Sequence, residues 1–214
     1  MLTNRAWIYV GLGAATLTAV GLVEILGAPT LRKGDRVLLV GDSLAVGLSA
    51  PFGALCQESG IAFQALATVG TRIDQWAQSQ PLSDALAAFQ PTIVLISLGT
   101  NDAYMRPSPG QDIGARQAPY MEELLSKIEA AGPRAIVWIS PPTLPVAAVS
   151  LGPVMALITS EHAVSFPRLK PRVAFFPTQS LDVPVEQLPR GPDGIHPVPR
   201  GYAAWAGALW QWLT

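Results

Sequence analysis

The chain has little with which to hold a metal: one cysteine, Cys56, and two histidines, His162 and His196. A lone cysteine closes no internal disulfide, and zinc sites need three or four clustered ligands. Cys56 has no metal-ligand companions and reads as a small buried hydrophobe. Charge is also scarce. Only 14% of residues are charged and the net charge is −1, with no basic block interleaved with aromatics. That speaks against a nucleic-acid partner. Half of the residues are hydrophobic, too many for a disordered chain. Metal-free side-chain chemistry or plain binding remains.

The first thirty residues differ from the rest. Between Ala6 and Ala28 the one charged side chain is Glu24. As a helix this stretch would be about 34 Å long, enough for a hydrocarbon core of about 30 Å. A cleaved signal peptide fits less well, because Leu26 would fill −3 and Pro29 would follow the cut. The expectation is an uncleaved anchor over residues 1–30 and a catalytic domain over 31–214. Arg32, Lys33 and Arg36 outnumber Arg5 and by count favour a cytoplasmic domain. The short N-terminal tail instead resembles a signal anchor, and with the chemistry below it favours an extracytoplasmic one. Gly11, Ala15 and Ala19 recur every fourth residue and could let two such helices pack.

Downstream, apolar runs alternate with helical stretches. Val37 to Val40 reads as a buried strand, and Leu44 to Ser59 as a helix closed by Gly60. Ile61 to Thr68 is a second strand, and Ile73 to Phe89 one or two helices divided at Pro81. Thr92 to Leu98 is apolar on both faces, as in the interior of a parallel sheet. Tyr104 to Pro119 reads as a loop over the active face, followed by a helix from Tyr120 to Ala131. Ala135 to Ser140 and Arg172 to Phe176 are strands four and five, with helical character over 146–164. Gly201 to Leu213 is a final helix, with Tyr202, Trp205, Leu209 and Trp212 on one face. This order predicts a doubly wound, mainly parallel five-stranded α/β sheet, preceded by one N-terminal apolar helix.

In such a sheet the strand exits share one edge. Gly41-Asp42-Ser43, Gly70 and Gly99-Thr100-Asn101-Asp102 follow strands, and a late Pro/Gly-rich loop carries Asp193 and His196. Ser43 could be a helix N-cap or a nucleophile. Together the set holds a hydroxyl, an imidazole, a carboxylate and oxyanion donors, the parts acyl transfer through serine requires. Asp42 and Asp102 read as loop-bracing carboxylates, and His162 as structural.

Three blocks, Gly41-Asp42-Ser43-Leu44, Gly99-Thr100-Asn101-Asp102 and Asp193-Gly194-Ile195-His196-Pro197, resemble those of the SGNH (GDSL) hydrolase family, with Gly70 as a looser fourth. The Gly-x-Ser-x-Gly elbow of the larger α/β-hydrolase family is absent around Ser43. The resemblance implies a flavodoxin-like SGNH fold, no cofactor, and a catalytic triad of Ser43, Asp193 and His196. It also implies an oxyanion hole from the Ser43 and Gly70 N–H groups and the Asn101 amide. The function expected is a serine esterase, above all an O-acetylesterase on cell-envelope glycan or other short acyl esters. A lysophospholipase or thioesterase, and an idle scaffold or binding module of a membrane or particle assembly, are the alternatives.

Overall fold

The computed structural model describes residues 29–105, 113–141, 173–178 and 188–214. The expected N-terminal helix and the helical stretch over 146–164 lie outside these residues. No helix among the described residues is long and apolar enough to cross a membrane.

Five strands form one sheet: β1 (Arg36–Gly41), β2 (Ala62–Ala67), β3 (Ile93–Ser97), β4 (Ala135–Ile139) and β5 (Val173–Phe176). Their order is β2-β1-β3-β4-β5, and every pair is parallel. The expected doubly wound α/β sheet is therefore what forms. Val37 to Val40 and Ile93 to Ile96 are all buried, because helices cover both faces of the central strands. Side chains alternate along each strand. Leu38, Val40, Val94 and Ile96 join the core on one face, with Trp76, Leu86 and Leu125 from α2 (Ile73–Ala77), α3 (Gln80–Phe89) and α5 (Ile113–Ala130). Val37, Leu39, Ile93 and Leu95 join the core on the other, under α1 (Ser43–Glu58) and α6 (Pro199–Leu213). The short α4 (Thr100–Ala103) follows β3.

Two element boundaries depart from the sequence reading. α5 already begins at Ile113 and carries Pro119 inside it, where a loop was expected up to Pro119. Ile113, Gln117, Met121, Leu124 and Ile128 form one buried stripe, and this burial outweighs the bond that proline cannot make. The break between α2 and α3 falls at Gln78-Ser79, not at Pro81. Ser79 caps α3 by accepting from Leu82 N at 3.2 Å, and Pro81 sits in the first turn, where it is tolerated.

The end of the sheet where strands begin is closed by Asp35, which is 6% exposed. It accepts from Arg134 Nη2 at 2.5 Å, Arg134 Nε at 3.2 Å, Thr92 Oγ1 at 2.8 Å and Arg32 N at 2.7 Å. Burial works to raise its pKa, but these donors together hold it below the usual carboxylate value. At the same end Leu31 N donates to Leu213 O at 2.7 Å, and Arg134 Nη2 to Thr30 O at 2.7 Å. α6 thus runs from the strand-exit edge of the sheet back to the end near Leu31.

Candidate active site

β1 ends at Gly41, where only glycine fits. A Cβ there would lie 2.3 Å from the Ser97 carbonyl oxygen of β3 and 2.7 Å from Ala45 Cβ. Asp42 then caps α1, its Oδ1 accepting from Leu44 N at 2.9 Å. Ser43 is the first helical residue and is not the cap. Its hydroxyl therefore has no capping duty, and Oγ lies 2.7 Å from His196 Nε2. Helix N-terminal N–H groups lack intrahelical partners, so the Ser43 backbone sits where negative charge is welcome.

The loop before α6 delivers the other two groups. His196 Nδ1 lies 2.6 Å from Asp193 Oδ2, while Asp193 Oδ1 accepts from Ile195 N at 2.9 Å and His196 N at 3.0 Å. The histidine bond first, then these two backbone donors, pull the Asp193 carboxyl down to about 2. The loop is closed by Gly191 N to His196 O at 2.8 Å and Arg190 Nη1 to Gly194 O at 3.0 Å. Gly194 takes a φ of 67° in its turn, a conformation glycine adopts without strain.

Asn101, in α4, points its amide back to the first two strand exits. Nδ2 donates to Thr71 O at 2.9 Å and to Asp42 Oδ2 at 3.2 Å. Both amide hydrogens are thereby engaged, so an oxyanion at this donor would have to take the place of Thr71 O. Gly70 has a φ of 79°, and a Cβ there would meet nothing within 4 Å. Its backbone conformation calls for glycine, and the space before it is open.

Two buried carboxylates brace these loops. Burial pushes Asp42 up to about 6, against the Leu44 N–H and His196. Burial likewise pushes Asp102 up to about 7, against the Ile73 N–H; its two oxygens lie 3.3 and 3.4 Å from Ile73 N, at the start of α2. Asp42 holds Asn101 and Asp102 holds the loop after Gly70. Sequence reasoning anticipated the bracing but not the partners. It placed Tyr202 on one face of the last helix but not against Gly47, to which its ring lies so close that a Cβ would come within 2.0–2.4 Å of it. A glycine inside a helical run was the available signal. Burial first, then Asp42 and Asp193, push the Tyr202 phenol up to about 12.

His162 lies outside the described residues. Among the described residues no group of three or more His, Cys, Asp or Glu side chains is placed to hold a metal ion. Chemically, the arrangement offers a hydroxyl beside an imidazole whose far nitrogen is held by a carboxylate, next to a helix N-terminus.

The sequence model described as "GDSL-like Lipase/Acylhydrolase family" matches residues 39–204, most of the chain. No curated protein matches in sequence. Among solved structures, a gut microbial diltiazem-metabolizing enzyme superposes with a TM-score of 0.66 at 14% identity, over 86% of this chain and 48% of its own. The chain thus spans about half the length of that enzyme. A family 3 carbohydrate esterase of Clostridium thermocellum gives 0.64 at 17% identity, covering 83% of this chain and 94% of its own. An acetyl-xylooligosaccharide esterase of Geobacillus, seen as a point mutant, gives 0.60 at 17% identity over 86% and 96%. At such identities the three share the fold with this chain.

Proposed function

This chain belongs to the GDSL-like lipase/acylhydrolase family, and on that premise we propose that it is a serine esterase releasing O-linked acetyl or other short acyl groups from a cell-envelope glycan. The observation that carries the reading is the contact between groups 153 residues apart, Ser43 Oγ and His196 Nε2 at 2.7 Å, with Asp193 at 2.6 Å behind the imidazole.

In this reading His196 Nε2 takes the Ser43 proton as Oγ attacks the ester carbonyl, and imidazolium forms between Ser43 and Asp193. Asp193 keeps Nδ1 protonated and offsets the new positive charge. The tetrahedral oxyanion accepts from the N–H groups of Ser43 and Gly70 and from Asn101 Nδ2, which releases Thr71 O as it engages. Collapse passes the proton from His196 to the leaving alcohol and leaves the acyl group on Ser43. Water, deprotonated by the same imidazole, then repeats the attack and frees the acid.

The glycan part of the proposal draws on the structural relatives described as carbohydrate and acetyl-xylooligosaccharide esterases. We further propose that residues 1–30 are a membrane anchor and 31–214 the hydrolase domain, which works outside the cytoplasm. The test is hydrolysis of p-nitrophenyl acetate by the full chain in detergent, beside Ser43→Ala. Activity in the native protein and none in the variant is expected. Equal turnover by Ser43→Ala overturns the triad. A series from acetyl to long-chain esters, run beside acetylated oligosaccharides, tests the substrate class.

A further inference from the structure

The end of the domain at which the chain enters lies opposite the active edge. Two elements measure the separation. β1 leads from Arg36 to Gly41, just before Ser43, and six residues of strand rise about 20 Å. α6 leads back from Pro199, just after His196, to Leu213, and 15 residues of helix span about 22 Å. Both elements tie the entry point to the far pole. Leu31 N is bonded to Leu213 O, and Asp35, at the foot of β1, is clasped by Arg134 at the foot of β4.

The connection to the apolar run is also short. That run ends at Ala28, and the Thr30 carbonyl is already held by Arg134 Nη2 at 2.7 Å. Between them stands Pro29, whose φ is fixed by its ring. Two residues reach at most about 7 Å, too little for the domain to turn over. Exposed Arg32 and Lys33 and half-buried Arg36, whose Nε donates to the Phe89 and Gln90 carbonyls, stand at this pole, with half-buried Trp210 on the last turn of α6. Such residues suit a headgroup layer. The acids there, Glu58 and Glu129, are outnumbered, because Asp35 is paired with Arg134. The exposed large hydrophobics among the described residues, Val46, Val69 and Tyr104, belong instead to the active edge: one turn after Ser43, beside Gly70 and just after α4.

We infer that the domain stands end-on upon its membrane, held by the Asp35–Arg134 clasp, with the active edge turned outward about 20 Å beyond the tethered pole. The inference rests on the anchor proposed above for residues 1–30. It adds a statement about substrate: ester groups borne on a polymer standing off the bilayer are within reach, while those of lipids in the same leaflet are not.

The experiment uses the full chain in phosphatidylcholine vesicles, with a fluorophore on Lys33→Cys or on Arg200→Cys, at opposite ends of the domain. The native Cys56 is buried and its thiol is pushed up to about 12, so labelling falls on the introduced cysteine. A headgroup-attached nitroxide lipid should quench the Lys33 label several-fold more than the Arg200 label. Equal quenching, or stronger quenching at position 200, overturns the orientation while leaving the anchor in place. Failure of the protein to float with the vesicles overturns the anchor, and the inference with it. A flexible insert of about twenty residues between Ala28 and Pro29 should remove the difference, since its coil spans roughly 25 Å. An undiminished difference would overturn the short tether as its cause.

Discussion

Replacing Asp102 by asparagine should stabilise this protein at alkaline pH and leave it nearly unchanged in acid. Asp102 is fully buried, and the hydrogen bond its side chain accepts from Ile73 N is long, at 3.3–3.4 Å. Burial raises its pKa from 3.8 to about 7, with Asp74 adding to the rise and Arg72 opposing it. Below about pH 4 the carboxyl is protonated in both folded and unfolded chains and costs nothing. As pH rises from about 4 to about 7 the unfolded chain loses the proton first, so native stability falls across that window and stays low above it. A rise of this size corresponds to about 4 kcal/mol at most, and with local water entry to roughly 2–4 kcal/mol. Asparagine keeps an acceptor for Ile73 N and carries no charge. At about 2–4 °C per kcal/mol, the Asp102→Asn variant should melt roughly 5–15 °C above the native chain at pH 8 and within a few degrees of it at about pH 4.5. Thermal unfolding at the two pH values, followed by tryptophan fluorescence, reads this directly. A variant that is less stable at both, by the same amount, would refute the reasoning and show that the charged carboxylate is wanted for its bonds.

Asn101→Ala should lower kcat for p-nitrophenyl acetate by about 10²–10³ with a much smaller change in KM, since the proposed mechanism spends its donor on the oxyanion. A raised KM with kcat unchanged would instead assign Asn101 to ground-state binding. Gly47→Ala should cost about 1–3 kcal/mol, by overpacking α1 against the Tyr202 ring. It should also depress kcat, because Tyr202 belongs to the helix that carries the His196 loop. Unchanged denaturant midpoint and activity would show that the ring can move aside freely. Gly41→Ala, with its Cβ against a backbone carbonyl that cannot yield, should cost at least about 3 kcal/mol by urea unfolding.

Much of this architecture was legible in the order of residues, for physical reasons particular to each element. Val37 to Val40 and Ile93 to Ile96 are apolar on both faces, which only a strand covered on both sides tolerates. Each is followed by a glycine-containing block, so the chemistry of the strand exits could be located before any coordinates. Two departures have a common origin. Pro119 and Pro81 were read as breaks, yet each occupies a helix, Pro81 in a first turn and Pro119 within a stripe whose burial compensates. Contacts between distant segments left no local trace. The carbonyl of Thr71 on Asn101, the carboxylate of Asp42 on the same amide, and the ring of Tyr202 on Gly47 depend on how loops close over the sheet. The closure of the opposite end of the sheet was equally hidden, because Asp35 and Arg134 are 99 residues apart.

The Ser43 hydroxyl comes from α1 and the His196 imidazole from the loop leading into α6, and packing of Tyr202 against Gly47 brings those two helices together. During synthesis the nascent chain therefore carries the proposed nucleophile long before it carries the proposed base. If the proposed mechanism holds, hydrolytic capability appears abruptly, with docking of the C-terminal segment, and a chain terminated anywhere upstream of His196 should be inert toward esters.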